Sequence, residues 1–230
     1  NLDEKRKTYD LIQSLDLLTN KKYENFYKEF ELNYLLSTYN LNRACEYREE
    51  IKNLNLKSEI NFFLKLDIFC LAIEEKFDQA NLLNTLLIES EKTNDQYFQY
   101  LYKVLQNDEN VQNTNNINFN EKNIFLYSAM HWIGNIPLSE KFLNIDPLNL
   151  AMPIILSSST DIELRIKSAH LAYFNGLLNS DSLAALYQTA DFTYEELNDP
   201  NSMSQKFATN IEIGMAYFYQ LINIQLMPKS

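Results

Sequence analysis

The sequence predicts an all-α protein, on the grounds of its turn composition and its hydrophobic spacing. Only three glycines and five prolines occur among 230 residues. Sheet proteins need glycine at tight hairpin turns, and open α/β folds need it in their phosphate loops. The apolar residues recur at the three- and four-residue intervals of helices rather than alternating as they do in half-buried strands. We therefore expect helices throughout, arranged as stacked antiparallel pairs.

The stretch from Ser58 to Lys92 shows this pattern most clearly. It predicts two helices joined at Lys76–Asp78. The first is apolar on nearly all sides, which is typical of a helix that packs on more than one neighbour. The second carries apolar residues at one-sided helical spacing. A buried helix followed directly by a half-buried helix is the unit of a stacked helical array. The apolar positions are Ile60, Phe63, Leu64, Phe69, Leu71 and Ile73 in the first helix and Ala80, Leu83, Leu86 and Leu87 in the second.

The other segments extend the array on both sides. Residues 1–106 are predicted to form an N-terminal helical array with short connections, which favour antiparallel neighbours. Residues 107–123 are rich in asparagine and lack a helical or strand period, so we interpret them as a loop or linker. Residues 124–230 form a predicted C-terminal array.

Three local signals in the C-terminal array predict helix boundaries. Asp146-Pro147 is a good helix start, and Pro153 is expected to kink the following helix or make it begin again. Thr160 and Glu163 have the spacing of a capping box. The longest helix is predicted to run from Ser202 to Met227.

The sequence contains no recognisable catalytic or metal-binding constellation. There are two histidines in the chain, and neither has a histidine or glutamate at ligand spacing. We therefore predict no catalytic, cofactor-binding or metal-binding residue and no cofactor. His131 and Trp132 are the one combination that marks a candidate pocket. Cys45 and Cys70 fall on adjacent antiparallel helices, with position 67 expected to face Cys45, so we expect their Cα atoms to lie beyond disulfide reach and the thiols to be free.

The charge balance excludes some classes of partner. The formal net charge is −11 and the lysines and arginines are scattered. Nucleic-acid binding depends on clustered basic residues, so we expect no nucleic-acid partner. No run of 18 apolar residues is present, so we expect no membrane span. We expect the chain to be a segment of a longer protein, because it begins at Asn1 and ends just after an apolar helix.

The segment Leu164–Leu197 resembles a family of uncharacterised bacterial helical-repeat proteins, which share the pattern LAALY followed by spaced Phe and Leu. The similarity extends over Leu41–Leu226, including ACEYREEI and FCLAIEEKFDQANLLNTLL. It implies an α-solenoid similar to tetratricopeptide and Sel1-like repeats, and an exported protein of the periplasm or cell envelope. The residues that match the pattern are Leu183, Ala184, Ala185, Leu186, Tyr187, Phe192 and Leu197.

From these observations we expect a non-catalytic protein-binding or scaffolding domain, because solenoids offer extended binding surfaces. One alternative is a superhelical accessory domain of a cell-wall-active enzyme whose catalytic domain lies outside this segment. A ligand-binding protein with a pocket around Trp132 is a third. The last helix has two apolar faces, and we expect one to serve as an interface for self-association or for a following segment. The candidate interface residues are Ile213, Tyr217, Leu221 and Ile224.

Overall fold

The computed structural model describes residues 2–14, 23–52, 60–90, 95–108 and 120–226, and within these ranges it contains fourteen α-helices and no strand. The predicted all-α class is therefore confirmed for the described part of the chain. The helices are α1 (Leu2–Ser14), α2 (Glu24–Ser37), α3 (Leu41–Ile51), α4 (Ile60–Ile73), α5 (Phe77–Ser90), α6 (Gln96–Leu105), α7 (Ile124–Ile133), α8 (Glu140–Ile145), α9 (Pro147–Leu156), α10 (Ile162–Phe174), α11 (Ser180–Gln188), α12 (Tyr194–Asn198), α13 (Pro200–Lys206) and α14 (Ile211–Leu226).

The contacts within the chain divide it into two units. The first is Asp3–Ile136, and the second is Pro137–Ser230 together with Asn1–Leu2. Helix α7, which the sequence analysis assigns to the second array, belongs to the first unit because it packs on α2, α4 and α6. Most of the asparagine-rich segment, residues 109–119, lies outside the described residues.

In the first unit, α4 packs on α3, α5, α6 and α7, and α2 packs on α3 and α7. The α2–α7 contact joins helices far apart in sequence, whereas a simple repeat stack brings together only neighbouring repeats. The core that results is continuous across these helices. Its fully buried side chains include Leu32, Leu35, Leu36, Leu66, Phe69, Phe98, Leu101, Leu126, Tyr127 and Met130.

In the second unit, α9 and α10 form the most extensive helix pair, and α14 packs on α10 and α11. Helix α9 starts as predicted, with Asp146 accepting a hydrogen bond from the backbone N–H of Asn149 at 3.2 Å. It continues through Pro153 as one helix and does not begin again there. The core of this unit includes Phe142, Leu150, Ile154, Ile166, Ala169, Ala216 and Tyr217.

The capping box predicted for Thr160 and Glu163 is wrong in detail. Asp161, not Thr160, caps α10, because its carboxylate accepts from the backbone N–H of Glu163 at 2.9 Å. Thr160 instead accepts from the backbone N–H of Leu138 at 2.9 Å. A complete capping box is formed at the start of α12, between Thr193 and Glu196.

The helix predicted for Ser202–Met227 is two helices, α13 and α14, separated by a turn at 207–210. Asn210 accounts for the break, since its side-chain oxygen accepts from the backbone N–H of Ile213 at 3.1 Å and begins a new helix. The same side chain donates to Glu163 at 2.7 Å. Asn210 therefore acts as a helix start inside the span that was predicted to be one helix.

The orientation of α14 gives a stability prediction. Tyr217 is fully buried and Ile222 is 54% exposed, so we expect Tyr217→Ala to lower the free energy of unfolding by about 3–5 kcal/mol and Ile222→Ala to change it by less than about 0.5 kcal/mol. Urea unfolding followed by circular dichroism measures both values. Equal losses in the two variants would contradict this orientation.

Candidate functional site

An open groove of about 940 Å³ runs along α3, α4 and the first half of α5 in the first unit. Its lining combines six apolar or sulfur-containing side chains with seven charged side chains of both signs, together with Asn42 and Gln79. This volume is at the upper end of the range for ligand pockets, and the groove is open to solvent. The apolar lining is Cys45, Cys70, Leu71, Ile73, Leu82 and Leu83, and the charged lining is Glu46, Arg48, Glu49, Lys52, Asp67, Glu74 and Lys76.

Cys45 and Cys70 form a disulfide in this groove, with their Cα atoms 5.6 Å apart. The expectation of free thiols is therefore wrong, for two physical reasons. First, α3 and α4 pair in a different register, so Cys45 faces Cys70 rather than position 67. Second, an interaxial distance of about 8–10 Å is not the separation of facing Cα atoms, because each Cα lies about 2.3 Å from its own helix axis.

An ion pair between Arg48 and Asp67 forms a second link between α3 and α4. Nε of Arg48 lies 2.9 Å from Oδ1 of Asp67, and Nη2 donates to Oδ2 at 2.9 Å. The two side chains are only 11% and 12% exposed. Burial raises the pKa of Asp67 above its ordinary value and the guanidinium opposes part of that rise. Arg48 also lies over the ring of Phe63, 4.7 Å from its centroid.

The disulfide and the ion pair follow one antiparallel register. Arg48 is three residues after Cys45, and Asp67 is three residues before Cys70. Each pair is thus one helical turn from the other on facing surfaces. This shared offset was visible in the sequence, and it would have indicated the correct register and the disulfide.

A buried polar network lies behind the groove, on the opposite side of α4. Nζ of Lys65 is 2.7 Å from Oδ2 of Asp95, and both side chains are more than nine-tenths buried. Asp95 also caps α6 by accepting from the backbone N–H of Phe98 at 3.0 Å, and it accepts from the hydroxyl of Tyr127. Burial alone raises the pKa of Asp95, but donation from Lys65, Tyr127 and Phe98 outweighs that effect and the net pKa is lowered.

His131 and Trp132, the candidate pocket residues, lie at the end of α7 and do not line the groove. His131 is buried, with Nδ1 3.3 Å from the carbonyl oxygen of Ile136 and Nε2 2.7 Å from the hydroxyl of Tyr97. Because a carbonyl only accepts, Nδ1 carries the proton and Nε2 accepts from the tyrosine. Trp132 is 42% exposed and stacks on Tyr39, with ring centroids 4.6 Å apart.

The candidate interface residues of α14 are not all at the surface. Tyr217 is fully buried, and its hydroxyl donates to the carbonyl oxygen of Glu196 at 2.7 Å. The prediction that it lies at an interface is therefore wrong, because it belongs to the core. Ile213 and Leu221 are half-buried, and Ile224 is exposed. Besides Ile224, the exposed apolar side chains of α14 are Ile211, Met215, Phe218 and Ile222.

Within the described ranges, no three histidine, cysteine, aspartate or glutamate side chains are grouped closely enough to hold a metal ion. None of the helices described has the length and hydropathy that crossing a membrane requires. No protein-family model, curated protein or solved structure matches the chain. Its resemblance to bacterial helical-repeat proteins thus stays an expectation from the sequence.

The Asp95 network leads to a prediction about pH. A carboxylate whose folded-state pKa is lowered contributes stability above its unfolded pKa, and that contribution is lost as the pH falls through the folded value. We expect Asp95→Asn to destabilise the protein by about 3 kcal/mol at pH 7, since it removes the carboxylate that faces the buried ammonium of Lys65. The difference from the wild type should shrink below about pH 4. Urea unfolding of both proteins at several pH values measures it, and a constant difference down to pH 2 would refute the assignment.

Proposed function

We propose that this chain is a non-catalytic, helical protein-binding domain, and that the groove along α3, α4 and α5 is where it takes a segment of its partner. The observation that carries the proposal is the groove, because it is open to solvent and combines apolar and charged side chains in its lining. An amphipathic helix binds such a surface by placing its apolar stripe on the apolar side chains. Among these, Leu82 is 66% exposed and is available for contact.

Charge complementarity indicates a partner segment with basic flanks. Four acidic residues and three basic residues line the groove, and the chain as a whole carries a formal net charge of −11. Two of the acidic residues form ion pairs within the chain, Glu49 with Lys52 and Glu74 with Lys76. All four side chains are more than half exposed. Exposed ion pairs contribute little stability, so lysine and arginine residues of a partner can replace the internal cations.

The helix pairs α4–α5 and α9–α10 support a repeat-like architecture related to the α-solenoid, from which the long-range α2–α7 contact departs. The disulfide supports an oxidising setting such as the periplasm or cell envelope, since disulfides persist in such compartments.

The groove can be tested by selecting peptides from a displayed random library on the intact chain, with Leu82→Asp and Ile222→Asp as matched variants. Both residues are exposed apolar side chains, so neither substitution should unfold the protein. We expect enriched peptides with apolar residues at helical spacing and flanking lysine or arginine. Their dissociation constants, measured by fluorescence anisotropy, should rise at least about tenfold for Leu82→Asp, or 1.4 kcal/mol, and stay unchanged for Ile222→Asp.

Selected peptides that bind Leu82→Asp as tightly as the wild type would refute the groove as the binding surface. Enrichment of acidic peptides in place of basic ones would refute the partner chemistry.

A further inference from the structure

We propose that Cys45 and Cys70 are a redox-active pair that exchanges with thiol reductants entering through the groove, and that reduction releases α3 from α4. Both cysteines line the open groove and both are half-buried rather than enclosed in the core. Thiol–disulfide exchange requires that an attacking thiolate reach one of the two sulfurs. The groove supplies that access.

Breaking the disulfide has a local structural consequence. Helix α3 is linked to α4 covalently by the disulfide and ionically by the Arg48–Asp67 pair. Apart from α4, α3 packs on α2, whereas α4 keeps its packing on α5, α6 and α7. Reduction therefore loosens the α3 wall of the groove and leaves the rest of the unit held together.

The reaction balances with a dithiol as the reductant. One of its thiolates attacks one sulfur of the disulfide, the S–S bond breaks, and the other cysteine leaves as a thiolate that takes up a proton. The second thiol of the reductant then attacks the reductant's own sulfur in the mixed disulfide, and the first cysteine leaves as a thiolate that is protonated in turn. The dithiol loses two electrons and two protons and becomes a disulfide, and the protein gains both and holds two thiols.

The consequence for binding rests on the proposed function. If a partner segment lies in the groove, the oxidised chain holds α3 and α4 in the register described above and the reduced chain does not. The redox state of Cys45 and Cys70 then sets the affinity for the partner. The chemistry of the pair can be tested without any partner.

Native reduction is the first measurement. The intact chain is treated with dithiothreitol at neutral pH without denaturant, and its thiols are alkylated and counted by mass spectrometry over time. We expect complete reduction at a rate at least about tenfold above the global unfolding rate from denaturant jumps, with the helical circular dichroism retained. Reduction no faster than global unfolding would overturn the proposal, because the disulfide would then be closed to reductants in the folded state.

Hydrogen exchange tests the release of α3. We expect amides of α3 to lose protection by about tenfold on reduction, while those of α9 and α10 in the other unit stay unchanged. Unchanged α3 protection, or an equal loss in α9 and α10, would overturn the local release. The double variant Cys45→Ser/Cys70→Ser serves as the permanently open form and should match the reduced wild type.

The affinity of the selected peptides for the oxidised and reduced chains tests the link to binding separately.

Discussion

The near-complete burial of α4 is the constraint on which the first unit depends. Leu66, Ile68 and Phe69 are fully buried because α4 has neighbours on several sides. Lys65 lies in the middle of this helix, and a buried ammonium requires a matched anion. Asp95 supplies that anion, and the same carboxylate caps α6 and accepts from Tyr127 of α7. A single charge requirement thereby fixes the positions of α6 and α7 relative to α4.

Local features of the fold followed from the sequence, and long-range ones did not. The all-round apolar character of α4 identified a buried helix, and Asp146-Pro147 identified the start of α9. The packing of α7 on α2 could not be predicted, because helical periodicity says which face of a helix is apolar but not which helix covers it. For the same reason Tyr217 of α14 was assigned to an interface, although it lies in the core. The break at Asn210 was missed because a single polar residue fits a continuous helix as well as a cap.

The groove was also beyond prediction from residue types alone. Its charged residues are ordinary surface residues in the sequence, and its wall is formed only when α3, α4 and α5 meet. The disulfide could have been predicted from two facts taken together. Opposite charges stand at equal offsets inside Cys45 and Cys70, and facing Cα atoms on packed helices approach more closely than the helix axes do. The disulfide is excluded only when the distance between the helix axes is taken as the distance between the facing Cα atoms.

The groove lies beside α3, which packs on fewer helices than α4 does. Helix α4 has core neighbours besides α3, so the loss of any one contact leaves it anchored. Helix α3 has α2 on one side and, on the other, a surface held to α4 by the disulfide and by Arg48–Asp67. Elements that move on binding come from the low-stability end of a structure, because a rigid core resists displacement. A covalent link at this position can therefore control the geometry of the groove while the Lys65–Asp95 network keeps the remaining helices in place.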